Sequence, residues 1–301
     1  MAPNDAAAPR VRHWQGLTLA LLITGYAGYY LCRSNLSVCL PMIAGDMTRG
    51  GMYPATARIR LGSIASLGVL AYAIGKFPRG ALADFLGGRR NFLLGMAGAV
   101  LFTLWFAGGG SLPIFAIAWV GNRLVQSLGW AGVVKISSKW FSYRNYGTVM
   151  ALVCLSFLFG DAVARWFLAL LIAGHLSWRE IFVVAAGVLA GILGVCLLLL
   201  RETPKQIGHP EPPSNPQNLF GKEGERPAPE KLRSLLRPML RSPIFWVVCG
   251  LSVGTTLVRE AFGLWTRPIS HNLPASEPLK RPGKVRSSRL WAGFRCYYAA
   301  G

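Results

Sequence analysis

The sequence predicts an all-α polytopic membrane protein, and three observations carry that reading. Hydrophobic residues make up 52% of the 301 residues and charged residues only 15%, with a mean hydropathy of +0.39. A soluble domain carries about 25% charge. The charges sit in short segments between long apolar runs, and several runs approach the roughly 20 residues a helix needs to cross the hydrocarbon core. The net charge of +20 lies mostly in those connecting segments. It therefore points to a lipid bilayer as the partner and not to nucleic acid.

The spans follow in order. Trp14–Cys32 holds 19 residues without a formal charge and continues through Arg33. It is longer than a signal-peptide core and has no small-residue cleavage site behind it, so it reads as a retained helix. Leu61–Gly75 supplies 15 residues before Lys76. Asn91–Asn122 is uncharged for 32 residues, too long for one crossing, and is divided at Gly108-Gly109-Gly110-Ser111-Leu112-Pro113. After Arg123 the apolar pattern resumes to Val134. Asn145–Gly160 and Trp166–Gly174 form one span interrupted by Asp161 and Arg165. Ile181–Leu200 gives 20 more residues, and Pro243–Val258 gives 16 before Arg259. Seven spans result.

Lys and Arg orient them. Segments 1–13, 79–90, 139–144 and 201–242 carry fifteen basic residues, against four (Arg49, Arg58, Arg60, Arg179) on the opposite side. The N-terminus, 1–13, is then cytoplasmic. Residues 14–200 form a six-helix bundle, 201–242 a central cytoplasmic loop, 243–266 a partial seventh helix and 267–301 a basic tail. That tail has seven Lys and Arg, one Glu, four Pro and no span.

Enzyme chemistry finds no support. The six cysteines form no C-x-x-C pair, the four histidines are isolated, and no Gly-rich phosphate loop or G-x-S-x-G occurs. No cofactor and no metal is implied. Gly95 and Gly98 read as small-residue helix packing.

The informative residues are charges inside spans: Arg33, Lys76, Arg123, Lys135, Arg165 and Arg259, against Asp161 and Glu260. Each ionised side chain near the membrane centre costs about 2.5–3.5 kcal/mol on insertion scales. Arg165 has Asp161 four residues before it on one helix face, and Lys135 lies close enough to a helix end to snorkel. Arg33 has no such neighbour, so an anion is wanted. Tyr26, Tyr30, Arg33 and Ser37 share one helical face, and Tyr72, Lys76 and Arg79 share another. Such polar stripes face a bundle interior or an aqueous cavity. Arg offers a fork for two phosphate oxygens and Lys a point charge. A phosphate-bearing ligand fits better than a free sugar or a cation, although tyrosines alone are also common packing residues.

Several segments resemble a known family. Gly80-Ala81-Leu82-Ala83-Asp84-Phe85-Leu86-Gly87-Gly88-Arg89-Arg90 is similar to the major facilitator signature G-x-L-x-D-x-x-G-x-R-R, and Arg123-Leu124-Val125-Gln126-Ser127-Leu128-Gly129 to that superfamily's R-x-x-Q-x-x-G. Gly25-Tyr26-Ala27-Gly28-Tyr29-Tyr30-Leu31-Cys32-Arg33-Ser34-Asn35 resembles the first helix of the organophosphate:phosphate antiporters. Gly75-Lys76-Phe77, Gly129-Trp130 with Lys135, Trp140-Phe141-Ser142 and Arg201-Glu202-Thr203-Pro204 fit the same family. Arg259-Glu260-Ala261-Phe262-Gly263-Leu264-Trp265-Thr266 looks like the start of its seventh helix.

The resemblance covers roughly residues 14–266. It implies the N-terminal six-helix bundle of a major facilitator fold plus a partial seventh helix. It further implies exchange of an organophosphate (a sugar phosphate or glycerol phosphate) for inorganic phosphate by alternating access, in the cell (inner) membrane, by a monomer. Arg33, Arg259, Lys76, Tyr26 and Tyr30 would bind substrate, and Asp84, Arg89, Arg90, Arg123 and Gln126 would serve the gate. A membrane receptor for a sugar phosphate and a non-functional fragment are the alternatives. Two departures stand out. The glycerol-phosphate branch has a His on the fifth helix, where this chain reads Phe159-Gly160-Asp161. The family pattern also stops after Thr266, as a shifted reading frame would make it, so the expectation is no exchange by the truncated chain.

The orientation is checked by reporter fusions at Gln217 and Gly51, which should report opposite compartments; a shared compartment would refute the span count.

Overall fold

The computed structural model describes residues 7–212, 240–251 and 254–255 of the chain. Two compact units divide it, residues 1–224 and 225–301. Among the described residues there is helix and no strand. The first unit holds α1 (Ala7–Arg49), α2 (Pro54–Leu86), α3 (Gly88–Gly108), α4 (Leu112–Trp140), α5 (Tyr143–Ala173), α6 (Trp178–Leu199) and a 3-10 turn at Pro204–Ile207. In the second unit, residues 240–241, 243–251 and 254–255 are helical.

The helix ends follow local chemistry. Pro113 sits in the first turn of α4, where a missing N–H costs nothing. A capping box opens α6: the Ser177 side chain accepts from the Glu180 N–H while the Glu180 carboxylate accepts from the Ser177 N–H. Gly87 joins α2 to α3 at φ 85°, a left-handed conformation that favours glycine. Pro41 lies inside α1, as membrane helices tolerate.

Six of the seven expected spans are present as α1–α6, the first two longer than the uncharged runs, while the seventh lies partly outside the described residues. The first helix continues past Cys32 to Arg49, and the second begins at Pro54, leaving only residues 50–53 between them. The uncharged run Trp14–Cys32 covers only the part of α1 that precedes Arg33, and the helix continues beyond that cation to Arg49. In the fold Arg33 is interior, and Arg58 and Arg60 lie on α2.

Four segments are long and apolar enough to cross a membrane by length and composition: Pro54–Lys76, Gly88–Gly108, Tyr143–Ala173 and Trp178–Leu199. Neither α1 nor α4 is among them, and these two carry Tyr26, Tyr30, Arg33, Asn122, Arg123 and Gln126. Large exposed apolar side chains crowd α5 and α6, among them Leu158, Phe159, Val163, Trp166, Leu197 and Leu198. On α1, by contrast, no large hydrophobic is exposed among the described residues. That division puts an apolar belt outside and the polar helix within, as a bilayer solvent requires.

Two apolar clusters hold the bundle. One stacks Phe106 on Phe115 and Phe182, with ring centroids 4.7 and 4.9 Å apart, and adds Leu36, Ile43 and Trp178. The other gathers Leu22, Tyr29, Phe92, Met96, Trp140 and Leu189. Tyr30 packs against both, so the middle of α1 lies between them.

Glycines set the close approach of α3 to α4. A Cβ at Gly132 would fall 2.6 Å from the Gly88 carbonyl oxygen and 2.9 Å from the Phe92 backbone nitrogen. Gly98 faces Val125, whose Cγ2 would be 2.8 Å away, and Gly95 faces the Tyr29 hydroxyl. Both glycines serve the packing read from the sequence.

Because the obstacles at Gly132 are backbone atoms, Gly132→Ala must push α3 from α4 and should destabilise the bundle by about 1–3 kcal/mol. Thermal unfolding in detergent checks this against Gly191→Ala, which meets nothing within 4 Å and should leave the midpoint unchanged.

Candidate functional site

The site is built around Arg33 on α1. Its Nε donates to Gln126 Oε1 at 3.0 Å, and its Nη1 donates weakly to the Tyr30 hydroxyl at 3.4 Å. The guanidinium carbon lies 4.7 Å from the ring centroids of both Tyr30 and Tyr72. Gln126 is held in turn. Its Nε2 donates to Asn122 Oδ1 at 2.6 Å, while Asn122 Nδ2 donates to the Ala99 carbonyl at 3.0 Å and to Thr103 Oγ1 at 2.9 Å. This relay runs from α3 through α4 to α1 and fixes the plane of the guanidinium.

Tyr72 is the hub. Lys76 Nζ lies 4.8 Å from its ring centroid, and the Arg123 guanidinium carbon 5.1 Å. Three cations from three helices therefore share one aromatic ring. Arg33 Nη2 and Arg123 Nη1 are buried without a hydrogen-bond partner. Among the described residues no carboxylate is paired with Arg33, Lys76 or Arg123. Cation–π contacts contribute about 0.5–2 kcal/mol each, less than the insertion cost of a cation near the membrane centre. The arrangement can do one thing well: accept an anion.

Tyr26 is buried and packs edgewise on Tyr30, with centroids 6.1 Å apart, and on Trp130 of α4 at 5.2 Å. The aromatic wall thus includes Trp130, which the sequence offered only as part of a motif. Asp161 is spent elsewhere. It accepts from Arg165 Nε at 2.8 Å, the expected pair one turn apart, and from Ser34 Oγ at 2.6 Å.

Residues read together as a gate separate into two places. Arg123 and Gln126 come to Arg33. Arg89 lies at the start of α3, near the part of α4 where Lys135 packs on Gly88, about 18 Å of helix from Arg123. Its Nε donates to the Leu200 carbonyl at 2.6 Å and its Nη2 to the Leu197 carbonyl at 2.7 Å. Glu202 completes the junction by accepting from the backbone N–H groups of Gly88 and Arg89 at 2.7 and 2.8 Å. An anion at a helix N-terminus and a cation at a helix C-terminus are each favoured by the peptide dipoles. Arg90 is exposed. Asp84 falls on α2, but its side chain lies outside the described residues, as does Arg259 entirely.

Sequence reasoning named Tyr72 as part of a polar stripe but not as the hub, and missed Asn122 and Thr103. The available signal was the i, i+4 spacing of Asn122 and Gln126, which sets both on one face of α4.

Comparison with known proteins agrees with this architecture. A model of the Major Facilitator Superfamily matches residues 22–275. The glycerol-3-phosphate transporter of Bacillus subtilis is 25% identical over 268 residues, 87% of this chain and 58% of that protein. The membrane sensor protein UhpC of Salmonella typhimurium is 26% identical over 260 residues, 85% of this chain and 57% of that protein. This chain thus spans less than three-fifths of the length of either relative. In fold, it superposes on a crystal structure of a bacterial homolog to the human lysosomal transporter Spinster, inward-facing and unoccupied, with a TM-score of 0.54 and 14% identity over 77% of this chain and 50% of that one. The chain belongs to the Major Facilitator Superfamily.

Proposed function

We propose that the protein carries a phosphorylated metabolite across the membrane in exchange for inorganic phosphate, by alternating access at the Arg33 site. The observation that carries this reading is the unneutralised cation set on Tyr72, whose buried Arg33 Nη2 and Arg123 Nη1 have no partner. A relative described as a glycerol-3-phosphate transporter supports the same chemistry.

Arg33 grips the phosphoryl group by its fork, Lys76 adds positive potential, and Tyr26 and Tyr30 supply hydroxyls. Arg259, in the segment that resembles the start of the family's seventh helix, is a further candidate cation and lies outside the described residues. Exchange follows from electrostatics. Closing a low-dielectric site around bare cations is unfavourable, and an anion makes the closed forms accessible. Empty return is therefore slow and loaded return fast, in both directions. The protein works as a monomer in the inner membrane, with its N-terminus in the cytoplasm.

A second reading, a sensor that binds a sugar phosphate without turnover, has support in the relative described as a membrane sensor protein. Radiolabelled inorganic phosphate separates the two. Binding displaced by a sugar phosphate, with counterflow into loaded vesicles, supports the transporter. Binding without counterflow fits both the sensor and the expectation that this chain, whose family pattern stops after Thr266, does not exchange; no binding refutes both readings.

Arg33→Lys keeps the charge but loses the fork and the Gln126 bond, so phosphate affinity should fall about tenfold or more. Titration with labelled phosphate measures it, and an affinity within twofold of the parent would make Arg33 structural.

The junction at Arg89 is proposed as the gate. Asp84→Asn and Glu202→Gln should each shift the balance between inward-open and outward-open forms while phosphate binding persists. Labelling of a cavity cysteine from each side of the membrane reads this, and an unchanged ratio would reduce the junction to a surface contact.

A further inference from the structure

We propose that Arg123 is a direct anion ligand, so that α1, α2 and α4 alone form a site selective for the dianion of a phosphate monoester or of inorganic phosphate. This inference rests on the phosphate reading above and deepens it: it assigns the charge state of the ligand and a ligand residue on α4.

The geometry separates Arg123 from a gate residue. Its guanidinium shares the Tyr72 ring with Arg33, at 5.1 and 4.7 Å from the centroid. Each guanidinium turns one buried nitrogen, Arg33 Nη2 and Arg123 Nη1, to no protein acceptor. Polar groups nearby are already engaged, the Tyr72 hydroxyl with Arg33 and Tyr26 among them. Gln126 accepts from Arg33 Nε and donates to Asn122, and Asn122 donates to Ala99 and Thr103. Asp161 serves Ser34 and Arg165. The two free donors therefore await an acceptor that the described part of the bundle does not offer.

Charge decides which acceptor. With Lys76 also on the ring, three formal positive charges converge with no paired carboxylate among the described residues. A phosphodiester or carboxylate, with one negative charge, leaves two of them unneutralised. A phosphate monoester, whose second proton leaves near pH 6, brings close to two negative charges at neutral pH and three unesterified oxygens. Two guanidiniums can then take different oxygens of one phosphoryl group.

Methyl phosphate and dimethyl phosphate are the probes, as a dianion and a permanent monoanion of similar size, competing with labelled inorganic phosphate on the purified full chain at pH 7.5. We expect methyl phosphate to bind about tenfold or more tighter than dimethyl phosphate. Arg123→Gln should cut that ratio to about threefold or less, and Arg123→Lys should restore part of it, because charge returns without the second prong. Removing a cation from a buried cluster of like charge relieves repulsion, so Arg123→Gln should unfold no earlier than the parent; if it does misfold, Arg123→Lys alone decides by the same ratio. A parent that binds both probes equally overturns the dianion site, and an unchanged ratio in both variants overturns the role of Arg123 while leaving the phosphate reading intact. No phosphate binding by the parent overturns the phosphate reading itself, and this inference with it.

Discussion

The rest of the bundle is arranged around the cost of gathering three like charges, two half-buried guanidiniums and an exposed Lys76, on one tyrosine ring. Arg33, Lys76 and Arg123 come from three helices and meet at Tyr72. Two unit charges 4 Å apart interact by about 4 kcal/mol at an effective dielectric of 20, so bringing these cations together is unfavourable until something negative joins them. The compensation visible in the protein is partial: aromatic faces, one amide oxygen from Gln126, and a relay that anchors it to α3. Apolar groups dominate the surroundings of this centre, from the Phe106 stack to the exposed leucines of α5 and α6.

A different electrostatic logic governs the junction between α3 and α6. There the charges are matched. Glu202 faces the N–H end of α3, and the Arg89 guanidinium faces the carbonyl end of α6. Charge without a partner marks the place where a ligand can bind, while charge with a partner marks a place that holds or releases. The Asp161–Arg165 pair belongs to the matched kind.

The sequence made the helices legible because a bilayer imposes a simple rule on composition. Six apolar runs gave six helices in order, and the split at Gly109 fell between α3 and α4. Boundaries were less legible where polar and charged residues continue a helix beyond its apolar run, as α1 does from Arg33 to Arg49. The site was half legible. Arg33, Lys76, Tyr26 and Tyr30 could be found by helical spacing alone. Arg123 and Gln126 were read as gate residues from a motif, and a motif names residues without saying which helix they will face. That Tyr72 would gather them depends on how α2 is rotated against α4, with Gly68 closely facing Trp119 and Arg123. No local pattern encodes that rotation.

The Tyr29 side chain has a mechanical consequence. It leaves α1 and wedges between α3 and α4, its ring against Gly129, its hydroxyl beside Gly95 and bonded to the Phe92 carbonyl at 2.6 Å. Such a key in a slot ties α1 to the α3–α4 pair as one solid piece, so Arg33 and Arg123 ride on the same rigid block. If that block tilts during a transport cycle, the spacing of its two guanidiniums stays constant, and under the proposed reading their grip on a phosphoryl group is as strong at the start of the stroke as at the end. Release must then be driven by what approaches or leaves the open side of the block, and not by any loosening within it.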